Sequence, residues 1–129
     1  MILVDSDVLI DVLRKDATAV ALLAVVQAQH RFGISVVSRM ETIRGCVDRE
    51  FQLRAESLLR KAHVFALNEQ ISKRADSLVT AYFLSNNMSV PDALIAATAL
   101  ELDLPLLSKN QRDYRFIPGL KLLPYPTAA

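Results

Sequence analysis

The chemistry available to this chain lies in its acids. Asp5 follows the apolar run Ile2, Leu3, Val4 directly, with Ser6 and Asp7 behind it. Glu41 closes the string ISVVSRME, a few residues past a second apolar run. Asp92 follows Pro91 at the start of an alanine-rich segment, and Asp113 comes after an apolar run that ends in Ser108, Lys109 and Asn110. A carboxylate at the end of a buried strand is costly to hold alone, so it needs a hydrogen-bonding partner or a cation. Carboxylates gathered in one place repel and raise one another's pKa unless a divalent ion joins them. Hard oxygen ligands in this number suit Mg2+ or Mn2+, which keep waters and engage phosphate oxygens. Such a centre activates a water and stabilises the charge that develops on a phosphodiester.

Each acid also has an ordinary occupation. Asp5 can cap a helix that starts near Asp7. Glu41 completes an S-x-x-E capping box with Ser38. Asp92 in a first helical turn complements the helix macrodipole, as does Asp7, which otherwise reads as a further ligand acting through water. Asp113 suits a solvated polar turn. The placement of the elements decides between these readings.

The hydrophobic pattern predicts strands over 2–4, 32–37, 64–67, 104–107 and 120–123. It predicts helices over 8–13, 17–29, a region from 38 to about 62 broken near Asp48, 69–85 and 92–102. Pro91 takes the first position of the last helix, where its missing N–H costs nothing. Strands alternating with helices imply an α/β class: a three-layer α/β/α fold around a central, mostly parallel five-stranded sheet. Residues 1–124 read as a single domain and 125–129 as a frayed tail. In a right-handed parallel sheet the loops after the strands gather at one edge. Asp5, Glu41, Asp92 and Asp113 would converge there.

Composition sets the outer bounds. A length of 129 residues is enough for one buried core, and 52% hydrophobic residues argue against disorder. The net charge of +1 supplies no overall basic field, so any contact to a polyanion has to be local. Cys46 is the single cysteine, which forbids an intramolecular disulfide and fits a reducing compartment. With His30 and His63 distant from it in sequence, no zinc spacing arises, and Cys46 reads as a small buried hydrophobe. Asp5, Asp7 and Asp11 interrupt any signal-peptide core, and no run approaches the roughly 18 apolar residues of a membrane span. A soluble cytoplasmic protein without membrane contact is expected.

The ordered strings VDSDVLIDVLR, ISVVSRMETIRG and VPDALIAATALELDLPLLSKNQRDYRFIPGL together resemble the motifs of the PIN domain. Within that group they resemble the VapC-type toxin ribonucleases of toxin–antitoxin pairs. The likeness runs from Met1 to about Pro124 and implies a PIN-like fold. It carries metal-binding and catalytic roles onto Asp5, Glu41, Asp92 and Asp113, and the S/T-x-N element onto Ser108 and Asn110. Many relatives carry Asn or Ser where this chain has Asp7. The activity implied is that of a metal-dependent endoribonuclease that hydrolyses RNA through a metal-activated water and is neutralised by a cognate antitoxin. Relatives commonly form homodimers.

On that reading Asp5, Asp92 and Asp113 hold Mg2+ (or Mn2+), and Glu41 is a ligand or orients the attacking water. Ser108 and Asn110 fix a carboxylate or a phosphate by hydrogen bonds, with Asp7 in support. Lys109, Arg112 and Arg115 near Asp113, Arg39 and Arg44 beside Glu41, and Arg14 and Lys15 are candidate contacts to RNA phosphates, or pair with nearby acids. The apolar surfaces of 17–29 and 51–62 are candidates for a homodimer contact or for docking an antitoxin helix. A catalytically silent PIN-like interaction module would be marked by loss of an acid, and none is lost. A receiver-like phosphoacceptor domain expects an Asp after the third strand, where Asn68 and Glu69 stand. A phosphatase with an Asp nucleophile accepts Asp5 and Asp7 as its D-x-D but lacks the cap insertion and a lysine at a strand end.

Overall fold

Two fully apolar dipeptides form the centre of the sheet. The computed structural model describes residues 1–126. In it Leu3 and Val4 make strand β1 (Leu3–Val4) and Leu106 and Leu107 make β4 (Leu106–Leu107), paired in parallel as Leu3 with Leu106 and Val4 with Leu107. Successive strand side chains point to opposite faces. Leu3 and Leu106 therefore enter one core and Val4 and Leu107 the other. Between these strands the chain forms α1 (Ser6–Leu13), α2 (Ala17–Gln29), β2 (Gly33–Ser35), α3 (Val36–Arg44), α4 (Arg49–Leu59), β3 (His63–Phe65), α5 (Glu69–Asn86) and α6 (Val90–Leu102). Helices α5 and α6 cover the Leu3 face together with Tyr114 and Ile117. Helices α1 and α2 and the end of α4 cover the Val4 face. This is the expected three-layer α/β/α arrangement.

The strand order is β3-β2-β1-β4, and every pairing among the named strands is parallel. The chain moves outward from β1 through β2 to β3, then crosses back to place β4 on the other side of β1. The direction of winding reverses between β1 and β4, and such a switch point opens a crevice outside the carboxyl ends of the two strands.

Several boundaries differ from the sequence reading. Among the described residues the sheet has four strands rather than five. Residues 120–123 lie beside β4 but make only one parallel bridge, Leu106 to Leu122, held by Leu106 N–H to Lys121 O and Leu123 N–H to Leu106 O, both 2.9 Å. The groups that would extend the ladder are engaged elsewhere: the N–H of Leu104 donates to the carbonyl of Ala99, and the carbonyl of Leu123 accepts from the side-chain amide of Gln111 at 3.1 Å. β2 stops at Ser35 instead of running to 37, β3 begins one residue early, and β4 occupies only the last two of its four expected residues.

The predicted capping box is also overturned. Ser35 is the N-cap of α3, its hydroxyl accepting from the N–H of Val37 at 3.1 Å. Val36 and Val37 join the helix despite their β propensity, and Ser38 lies inside it with its hydroxyl buried and unpartnered. α1 starts at Ser6, two residues before the predicted start. α6 starts at Val90, with Ser89 as N-cap and Pro91 in the second position rather than the first. The break near Asp48 is real, and Asp48 caps α4 through the N–H of Phe51 at 2.7 Å.

Of the tail expected to fray, Tyr125 packs partly buried against the Val4-face core, and 127–129 lie outside the described residues. Cys46 is half-buried rather than a core residue, its thiol donating to the carbonyl of Thr42. α2 buries Ala19, Leu23 and Val26 and leaves Val20 and Val25 exposed.

Ala93, Ala96, Ala97 and Ala99 of α6 are all buried in the Leu3-face core. Small side chains there let the helix lie close to the sheet, and close packing is felt at the level of single methylenes. Ala96→Leu is expected to lower stability by about 1–3 kcal/mol, read as a lower urea midpoint with an unchanged slope. An unchanged midpoint would contradict the packing described.

Candidate active site

Asp5 terminates β1 and is 5% exposed. Its backbone is still in the sheet, with its N–H on the carbonyl of Leu107 at 2.9 Å. Its side chain has already turned to cap α1, where Oδ1 accepts from the N–H of Ser6 at 2.8 Å. The expected cap is present and uses only one of the two carboxylate oxygens. Oδ2 accepts from the hydroxyl of Ser108, the first residue after β4, at 2.8 Å and from the phenol of Tyr114 at 3.0 Å. These contacts tie the end of β1 to the residues that follow β4.

Glu41 reaches the same place from the second turn of α3. With the capping box absent, its carboxylate accepts from the hydroxyl of Ser6 at 3.0 Å. Asp92 is at the third position of α6. A helix that leads into a parallel strand runs against it, so its N-terminus lies at the carboxyl edge of the sheet. There Oδ1 of Asp92 meets the phenol of Tyr114 at 3.1 Å. Asp113 is half-exposed and accepts from the side-chain amide of Asn110. Its charge acts on Asp92.

Asp7 does more than begin a helix. Its carboxylate accepts from the N–H of Asn110 at 3.0 Å, the N–H of Lys109 at 3.4 Å and the hydroxyl of Ser108 at 3.3 Å. It thereby holds the 108–110 loop, and Asn110 in turn holds Asp113.

The electrostatics follow from burial without a counter-charge. Burial pushes the Asp5 carboxyl up to about 7, with the Asp7 charge adding to the rise and the bonds from Ser108, Ser6 and Tyr114 opposing it. Burial also raises Asp7, Glu41 and Asp92, and the charges of Asp92 and Asp7 add to the rise at Glu41. The Tyr114 phenol is held protonated by burial and by the Asp5 and Asp92 charges beside it. Among the described residues, no ion pair includes Asp5, Asp7, Glu41 or Asp92, and three acids do not close into a ready-made metal cage. Hydroxyls stand between them instead: Ser6 between Asp5 and Glu41, Tyr114 between Asp5 and Asp92. The donor set is oxygen throughout, which fits a hard divalent ion and not zinc.

The basic residues are not equivalent. Lys109 pairs with Asp11 at 2.9 Å, as the ion-pair alternative allowed, and Arg112 lies 4.0 Å from Asp113. Arg115, Arg14 and Lys15 are exposed and Arg39 is half-buried. Arg39 and Arg44 line an open groove of about 820 Å³ with Val37, Met40, Glu41 and Ile43. Met40 is 56% exposed there.

Two members of the site escaped the sequence reading. Ser6 was visible between two acids, and its hydroxyl serves Glu41. Tyr114 gave no signal beyond adjacency to Asp113, because an aromatic after a polar turn reads as core. It is core, with 0% exposure, and its hydroxyl nevertheless reaches both Asp5 and Asp92.

Comparison with known proteins adds to this geometry. The PIN domain family model matches residues 2–117. Ribonuclease VapC10 of Mycobacterium tuberculosis is 38% identical over 122 residues, covering 94% of this chain and 91% of that protein. Ribonuclease VapC19 of the same organism is 30% identical over 124 residues, covering 94% and 98%. Among solved structures, a toxin–antitoxin complex from Klebsiella pneumoniae superposes with a TM-score of 0.81 at 26% identity, covering 96% of this chain and 97% of that one.

The raised Asp5 carboxyl fixes the sign of a pH dependence. A folded-state pKa above the unfolded value near 3.8 stabilises the fold below that value, and the contribution is lost as pH rises through about 7. In chelator, the thermal midpoint is expected to fall between pH 5 and pH 8. Asp5→Asn is expected to flatten that fall and to melt higher than wild type at pH 8. A wild-type midpoint that rises over this interval would contradict the assignment of Asp5 as a buried acid without a counter-ion.

Proposed function

The chain belongs to the PIN domain family, and from that premise we propose that it is a divalent-metal-dependent endoribonuclease of the VapC toxin type, held in check by a cognate antitoxin. The observation that carries the reading is the meeting of Asp5, Glu41 and Asp92 at the carboxyl edge of the sheet, raised in pKa and without a basic partner. The relatives named ribonucleases, and the toxin–antitoxin complex of the same fold, support the substrate class and the partner.

Asp5, Asp92 and Asp113 would hold Mg2+ or Mn2+, with Glu41 as a further ligand or as the base that orients water. When bound, the ion supplies an activated water and charge neutralisation on the phosphate. The chain's own groups do the rest. Ser6 aims the Glu41 carboxylate by its hydrogen bond, and a carboxyl with a raised pKa is suited to take a proton from a nearby water. Ser108 and Tyr114 fix Asp5 from the side away from its cap. Asp7 anchors the loop that carries Asn110, and Asn110 positions Asp113.

RNA would enter along the groove beside Glu41, where Arg39 and Arg44 can meet backbone phosphates. Lys109 is committed to Asp11 and is a weaker candidate for that contact than the arginines. The apolar wall of the groove, with the exposed Val20 and Val25 of α2, offers area for the antitoxin or a second copy of the chain.

The test is cleavage of total RNA by purified protein with Mn2+ or Mg2+. Defined cuts are expected, lost with chelator and reduced to background by Asp92→Asn. Glu41→Gln is expected to lower the rate by about 100-fold or more. Cutting by Asp92→Asn at the wild-type rate would overturn the reading.

A further inference from the structure

The oxygens of Asp5 and Asp92 are not equally free. An ionised carboxylate offers about four lone-pair directions. At Asp5, Oδ1 is engaged by the N–H of Ser6 at 2.8 Å, while Oδ2 takes both the hydroxyl of Ser108 at 2.8 Å and the phenol of Tyr114 at 3.0 Å. At Asp92, Oδ1 faces the same phenol at 3.1 Å, and the Ser89 side chain also bonds the carboxyl. A phenol carries a single proton, so it donates to one of the two carboxylates at a time. Its oxygen nevertheless covers the inner oxygen of both. The ring is fully buried in the Leu3-face core, so the hydroxyl has no room to swing aside.

Tyr114 thereby occupies one oxygen of Asp5, Oδ2, and one of Asp92, Oδ1, that a cation between these acids would otherwise reach. Single-oxygen ligation leaves positions for water and phosphate, the habit of a small octahedral ion. Ca2+ takes six to eight oxygens and commonly uses both oxygens of a carboxylate. The geometry points to Tyr114 as a positioning residue that sets cation choice, by denying a large ion two-oxygen ligation from Asp5 and Asp92. The inference rests on the proposed divalent centre and adds a selectivity device to it. Removing the hydroxyl keeps the ring in the core and exposes Oδ1 of Asp92 together with one lone pair of Asp5.

The experiment is calorimetric titration of Mn2+ and of Ca2+, separately, into wild type and Tyr114→Phe at neutral pH. Wild type is expected to bind Mn2+ more tightly than Ca2+. The variant is expected to shift the ratio of the two dissociation constants toward Ca2+ by about tenfold, the scale on which groups behind metal ligands act. A purely packing role would weaken both ions alike, so an unchanged ratio overturns the inference while leaving the metal centre standing. Failure of wild type to bind either ion overturns the centre and the inference with it. A second measurement needs no variant. The chain has three tyrosines and no tryptophan, so Mg2+ added to wild type is expected to perturb the tyrosine difference spectrum. A flat difference spectrum at a saturating Mg2+ concentration counts against a phenol beside the ion.

Discussion

A carboxylate at the end of β1, almost wholly withdrawn from water and given no basic partner, is the constraint on which the rest of the structure depends. Burying such a charge alone is prohibitive. Asp5 is instead served by neutral donors, namely the N–H and hydroxyl contacts of Ser6, Ser108 and Tyr114. Each comes from a different part of the chain. Ser6 is the first residue of α1, Ser108 follows β4, and Tyr114 rises from the turn beyond it. Only a sheet with β4 beside β1 brings these groups together, so the strand order and the solvation of one side chain are the same fact seen at two scales.

Neutral donors have a consequence that a lysine or arginine would not have. They lower the cost of the buried acid without cancelling its charge, so the cleft stays electronegative and open to a cation. The basic side chains stand outside it: Lys109 on Asp11, Arg112 near Asp113, Arg39 and Arg44 along the groove. This division suits the proposed chemistry, in which the interior holds a metal and the rim meets a phosphate chain. It also suits a partner that silences the protein by placing a positive group in the cleft.

Much of the site was legible in sequence because it depends on position relative to strands. An apolar run ended by Asp, and an acid in the first turn of an alanine-rich helix, place Asp5 and Asp92 at one edge once the sheet is parallel. Glu41 was ambiguous for a local reason. Ser35 and Ser38 compete to start the same helix, and Ser38 has the better-looking box. The pairing of β2 ends at Ser35, which leaves Ser35 to cap and frees Glu41 to turn toward Ser6. Tyr114 could not be read at all, since nothing in a linear string shows where a phenol in the core directs its hydroxyl. The fifth strand failed because hydrophobicity does not show where backbone groups are spent: the N–H of Leu104 goes to Ala99 and the carbonyl of Leu123 to Gln111.

The proposed divalent centre at the buried acid is tested most directly by proton counting. Mn2+ binding is measured by calorimetry at pH 6.5 in buffers of different ionisation enthalpy, which reports protons released per ion bound. With Asp5 titrating near 7, the account predicts Mn2+ binding with net proton release in wild type, and loss of both in Asp5→Asn. Binding without proton release, or undiminished binding by Asp5→Asn, would contradict it.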